Sequence, residues 1–172
     1  MTGALHRFFT DDHRRLEEWL DRAAADPDQI DTASYETFRR GLLKHIGMEE
    51  KILLPAAQAA RGGDPLPTAE KLRLDHGALA TLLVPHPSPQ IIAALRAVLA
   101  DHNLLEESPG GLYELCEALA GEALDDLLAK ARSAPEVSAM PHKSDPNVFA
   151  VLRRVLARAG YDFDAYAEST MR

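Results

Sequence analysis

Cysteine is almost absent from this chain. Cys116 is the only cysteine in 172 residues, which excludes an internal disulfide. Aromatic residues make up 6% of the chain, and Val, Ile and Thr never alternate over the length of a strand, so no sheet is expected. No run approaches the ~20 apolar residues needed to cross a bilayer. Basic charge is in deficit: 19 Lys and Arg against 27 Asp and Glu leave a formal charge of -8, a balance that repels a phosphate backbone. Neither nucleic acid nor membrane is therefore an expected partner. The N-terminus goes straight into charged, histidine-bearing sequence in place of a signal peptide's apolar run, and a reducing, cytoplasmic setting is expected. What remains is a chain that is 46% hydrophobic, enough to bury one core, with seven histidines.

Ala, Leu, Glu and Arg dominate its periodic segments, which is the composition of a helix former. The spacing predicts a first helix from Gly3 or Ala4 to Ala24, stopped by the turn at Pro27. A second is capped by Asp31 or Thr32 and reaches Ala60, with a kink at Pro55. A third starts near Thr68 and ends near Val84. A fourth runs from Ser88 or Pro89 to about Glu107, where Pro109, Gly110 and Gly111 interrupt it. The stretch from Leu112 to Ser133 reads as one further amphipathic segment, followed by a polar linker, a short helix over about 147–159 and a loose tail. Short connections between long helices force antiparallel neighbours. The expected fold is all-α: an up-down-up-down antiparallel four-helix bundle with extra C-terminal helices. Residues 1–132 are expected to form the bundle and its extension, and 133–172 a linker and short helix packed on it as an appendage.

Each of the four helices carries a histidine in its apolar stripe. Leu5, Phe9, His13, Leu16 and Leu20 share one face of the first. Phe38, Leu42, His45, Glu49 and Leu53 follow on the second. Leu72, His76, Leu79 and Leu83 mark the third, and Leu95, Leu99, His102 and Glu106 the fourth. Counting residues from the helix ends at about 1.5 Å each puts His13 and His45 within a few ångströms in height and His76 and His102 within roughly two turns, which makes one compact cluster feasible. A single inward histidine is most simply a buried imidazole with one hydrogen-bond partner. Four of them with two glutamates at one level are not, because two carboxylates facing one core repel and resist ionisation unless a cation offsets them. Six nitrogen and oxygen donors exceed the need of one tetrahedral zinc, and helix-borne Glu and His in a bundle core suit two iron or manganese ions.

An isolated His, then His-x-x-x-Glu, a further His and a second His-x-x-x-Glu is the pattern by which the chain resembles the hemerythrin-like, HHE cation-binding family. The matching residues are His13, His45 with Glu49, His76, and His102 with Glu106. Residues 5 to 107 carry the resemblance. It implies an oxo- or hydroxo-bridged pair of iron ions, with manganese or zinc as substitutes. It further implies that Glu49 and Glu106 bridge the metals, with His13 and His45 on one and His76 and His102 on the other. Oxygen carriers of the family place another histidine one turn beyond the third-helix ligand, and this chain has Ala80 there. The ligand set is closer to the four-His, two-Glu members of iron-sulfur repair and nitric oxide stress, although the bundle begins almost at Met1, where those members carry a cysteine-bearing domain.

Glu50 and Glu107 adjoin the two stripe glutamates but point about 100 degrees away. With Asp12 and Asp75, each next to a stripe histidine, they are candidates to orient a ligand imidazole through its second nitrogen, and otherwise ordinary polar-face residues. His6 is a candidate channel residue, His86 and His142 are expected to be exposed, and Tyr113 and Cys116 are candidates to cap the open end of the bundle, with core packing as the simpler reading and a redox role for Cys116 the least supported. The resulting functional expectation is a di-iron protein that reversibly binds or senses a small diatomic ligand, oxygen or nitric oxide, in oxidative or nitrosative stress. The alternatives are an oxidase, peroxidase or iron-sulfur repair activity, and a regulatory bundle with a structural metal. In the last case the C-terminal helices would serve a homodimer or another protein.

Overall fold

The computed structural model describes residues 3–169, and among these it contains helices and connections with no strand. The last three residues of the expected tail lie outside the described residues. Helix α1 spans Ala4–Ala23 and ends ahead of Pro27. Helix α2 spans Thr32–Met48, and the Asp31 carboxylate caps it by accepting from the amides of Ala33 and Ser34. A π-helical turn, Glu49–Leu53, joins it to α3, Leu54–Ala60. The irregularity thus falls one turn before Pro55, where a kink was expected. Pro55 has no N–H to give the Lys51 carbonyl and its ring crowds that group, so the distortion lies in the turn containing Lys51.

Helix α4 spans Ala69–Leu82, and α5 spans Pro89–Glu107 with the Ser88 hydroxyl accepting from the Ile91 amide. These four segments form the antiparallel up-down-up-down bundle. The stretch expected to be a single amphipathic segment is two helices, α6 (Leu112–Ala120) and α7 (Leu124–Arg132). Gly121, at φ +51°, breaks it, a conformation that a side chain would strain. Helix α8, Pro146–Ala159, is capped by Asp145, and α9 spans Ala165–Ser169.

Helix α8 packs on α4 and contributes Leu152, Leu156 and Ala159 to the core that holds Leu79, Leu82 and Leu95. Its apolar face is therefore covered within the chain. The linker before it is pinned to the bundle: Arg39 donates to the carbonyls of Leu83 (2.8 Å) and Met140 (2.6 Å), and the Lys143 amide to that of Val84 (3.0 Å). His142, expected to be exposed, is half-buried in this strap, with its Nδ1 2.8 Å from the Pro85 carbonyl oxygen and its ring 5.0 Å from that of the exposed His86.

The interior falls into two hydrophobic clusters. One holds Leu16, Leu20, Phe38, Leu42, Leu79, Leu82, Leu95 and Val98. The other holds Leu5, Phe9, Met48, Leu53, Leu72, Leu112 and Leu127. Along α1 the change from one to the other falls between Phe9 and Leu16, at His13, and along α4 between Leu72 and Leu79, at His76.

Candidate metal centre

Between the two clusters lie His13, His45, His76 and His102, each at most 3% exposed, with Glu49 and Glu106 fully buried. The six residues form two groups that share both glutamates: His13, His45, Glu49 and Glu106 in one, His76, His102, Glu49 and Glu106 in the other. Within each group, one donor atom per residue lies within 4.8 Å of all the others. The imidazoles are paired across helices, with ring centroids 4.5 Å apart for His13 and His45 and 4.8 Å for His76 and His102.

Each glutamate addresses both pairs. Glu49 Oε1 lies 3.2 Å from Nε2 of His45, while its Oε2 lies 3.0 Å from Nε2 of His76. Glu106 Oε2 lies 3.3 Å from Nε2 of His13, and its Oε1 lies 3.0 Å from Nε2 of His102. Glu106 Oε1, although close to the His102 ring, is aligned for a hydrogen bond with none of the described residues. A buried carboxylate oxygen without an aligned donor is costly, and a cation between the donors would remove that cost. The donors are imidazole nitrogens and carboxylate oxygens without sulfur, a set suited to iron, manganese or zinc. The site therefore fits metal ions, two of them at the spacing of the two groups.

The Nδ1 atoms face away from the donors, and each meets a carboxylate from a neighbouring helix. His13 meets Glu107 at 2.6 Å, His45 meets Asp12 at 2.7 Å, His76 meets Glu50 at 2.6 Å, and His102 meets Asp75 at 3.4 Å. With Nδ1–H donating to these acceptors, Nε2 is the nitrogen left free for a metal. The four pairings close a ring: α1 holds the imidazole of α2, the π turn after α2 holds that of α4, α4 holds that of α5, and α5 holds that of α1. Basic side chains brace the acceptors from outside, with Arg15 on Asp12 (2.6 Å), Arg14 on Glu107 (2.5 Å), Lys71 on Asp75 (2.6 Å) and Arg73 on Glu50 (3.5 Å).

Without a metal, protons take its place. Burial opposes charge on the imidazoles, but the facing carboxylates outweigh it. They raise His45 to about 10, His76 to about 11 and His102 to about 9. Burial and the neighbouring Glu106 push Glu49 up, yet the imidazoles of His45 and His76 bring it down to about 2. Glu106 is likewise held well below the carboxylate range by His102, His13 and His76, against burial.

Tyr113 is the residue that sequence reasoning missed. Its hydroxyl enters the donor cluster, 2.6 Å from Glu49 Oε1 and 3.0 Å from Glu106 Oε2. The same oxygen lies 3.0 Å from Nε2 of His13 and 3.3 Å from Nε2 of His45. A tight turn after α5 makes this reach feasible: Gly110 has φ +77°, and a Cβ on Gly111 would come within 2.7 Å of the Glu106 carbonyl oxygen. The break after Glu106 was the available signal. Cys116, one turn further, is buried with its thiol pushed up to about 12 by burial and the two glutamates, which keeps it protonated. His6 sets its ring edge-on to Tyr113, with centroids 5.9 Å apart, and lines a surface cleft with Gly3, Glu107, Pro109 and Glu117.

Fold and site together define a helix-bundle protein with a buried four-histidine, two-glutamate centre positioned to chelate cations. The chain matches the Hemerythrin HHE cation binding domain over residues 4–130, and it belongs to that family. No curated protein and no solved structure matches it. Among the described residues no helix is long and apolar enough to cross a membrane.

Proposed function

We propose that the chain is a non-haem di-iron protein whose centre reversibly binds or senses a small diatomic ligand, oxygen or nitric oxide. The observation that carries this reading is the placement of Glu49 and Glu106, each with one carboxylate oxygen toward each histidine pair. On this reading both glutamates bridge, His13 and His45 hold one ion, and His76 and His102 hold the other. Two irons bound there would supply reversible electron transfer and a coordination position for the ligand. The protein's own contribution is geometric and electrostatic. Asp12, Glu50, Asp75 and Glu107 fix the imidazole tautomers, the two hydrophobic clusters keep bulk water from the donors, and the cleft beside His6 offers a small molecule an approach.

Anaerobic iron loading followed by absorption spectra under oxygen or nitric oxide tests the proposal. Two irons per chain and a spectrum that changes with either gas are expected. A stoichiometry of one or none, or one unchanged by the double substitution Glu49→Ala and Glu106→Ala, would sink the dinuclear assignment. Two irons indifferent to both gases would leave a structural metal.

A further inference from the structure

We infer that Tyr113 is a seventh protein donor to the centre, binding the ion held by His13 and His45 through its phenolate oxygen. The inference rests on the di-metal reading above. Packing alone does not account for the hydroxyl: the ring is fully buried and stacks on Phe9 with centroids 5.0 Å apart, a role a phenylalanine would fill. The oxygen instead reaches one donor atom of each residue in one chelating group, Glu49 Oε1, Glu106 Oε2 and Nε2 of His13 and His45, at 2.6 to 3.3 Å. It approaches the imidazoles at Nε2, not at the Nδ1 atoms that the outer carboxylates hold. Adjacent donors around a six-coordinate cation with bonds of about 2.1 Å are themselves about 3 Å apart, so the hydroxyl stands at ligand spacing from all four.

The arrangement is one-sided. Among the described residues no phenol oxygen is hydrogen-bonded to His76 or His102, whereas that of Tyr113 meets both His13 and His45. One ion would then have five protein donors and the other four, which concentrates open coordination on the His76/His102 ion. On metal binding the phenol O–H bond breaks, its electron pair stays on oxygen for the cation, and the proton leaves to solvent. No oxidant or reductant is needed.

The test is the visible absorption and resonance Raman spectrum of the full chain loaded with ferric iron, beside the same measurement on Tyr113→Phe. A phenolate-to-iron charge-transfer band with enhanced tyrosine ring modes in the unaltered chain is expected. Loss of both in Tyr113→Phe, with two irons retained, completes the expected result. Two ferric ions with no phenolate modes overturn the Tyr113 assignment and leave the di-iron reading standing. One iron with the modes present supports Tyr113 and overturns the pair, and no bound iron overturns both. The unaltered chain alone decides the outcome should Tyr113→Phe fail to fold.

Discussion

Glu107 turns away from its neighbour Glu106 to accept a 2.6 Å hydrogen bond from Nδ1 of His13 on another helix. Two adjacent carboxylates thus meet opposite sides of one imidazole: Glu106 faces Nε2 of His13, and Glu107 faces Nδ1. Glu49 and Glu50 stand in the same relation to His76.

Glu107→Ala and Glu50→Ala should therefore leave all six inner donors in place and still weaken metal binding by about 10- to 100-fold each. Competition with a coloured chelator measures this. Affinity unchanged in both variants would remove the orienting role.

Stability of the metal-free protein should depend on pH with a definite sign. His45, His76 and His102 are raised to about 10, 11 and 9 from an ordinary 6.5, so their contribution is full below about pH 6.5 and disappears as pH climbs through 9 to 11. Glu49 and Asp12 are both brought down to about 2, so theirs is present above the ordinary carboxylate range and is lost as pH falls toward 2. Bound cations must displace the imidazole protons, so metal affinity should rise with pH over the range in which the metal-free fold weakens. Thermal melts of metal-free and zinc-loaded protein from about pH 5 to pH 10 should diverge, with the gap widening upward.

Gly111→Ala places a Cβ against the carbonyl oxygens of Leu105, Glu106 and Ser108, all within 2.8 Å. A loss of about 1–3 kcal/mol is expected, read from denaturant unfolding. The strain falls between Glu106 and Tyr113, so the variant should also disturb the spectrum of the loaded centre.

Leu152→Ala removes a fully buried side chain from α8 where it packs in the bundle core. The expected cost is about 2–5 kcal/mol, with metal stoichiometry unchanged because the lesion lies outside the donor layer. A cost under about 0.5 kcal/mol would mean that α8 only rests on the bundle.

Much of this was legible because a helix converts spacing into direction. His45 and Glu49, four residues apart, must share a face, and the level of His13 against His45 follows from helix length. The partners of Asp12, Glu50, Asp75 and Glu107 were harder to read. A residue 100 degrees from the stripe meets solvent or a neighbouring helix according to how the helices cross, and spacing does not encode that. Tyr113 was harder still, since the turn at Gly110 and Gly111 resets the direction of the chain and no periodicity carries across it. Pro55 marked a disturbance, but whether a proline produces a bend or a π turn depends on packing around the residues before it.

The two hydrophobic clusters meet the donor layer from opposite sides, so the inside of the bundle resembles two rooms with a shared wall of charge. A conventional core can pass a disturbance along its length by small shifts of contacting methyl groups. Here such a disturbance, moving inward from the strap around His142 toward the α6 end, arrives at groups held by short, directional bonds. Both halves of the interior thus pack against the same six buried side chains, and neither can be repacked next to that layer without meeting it.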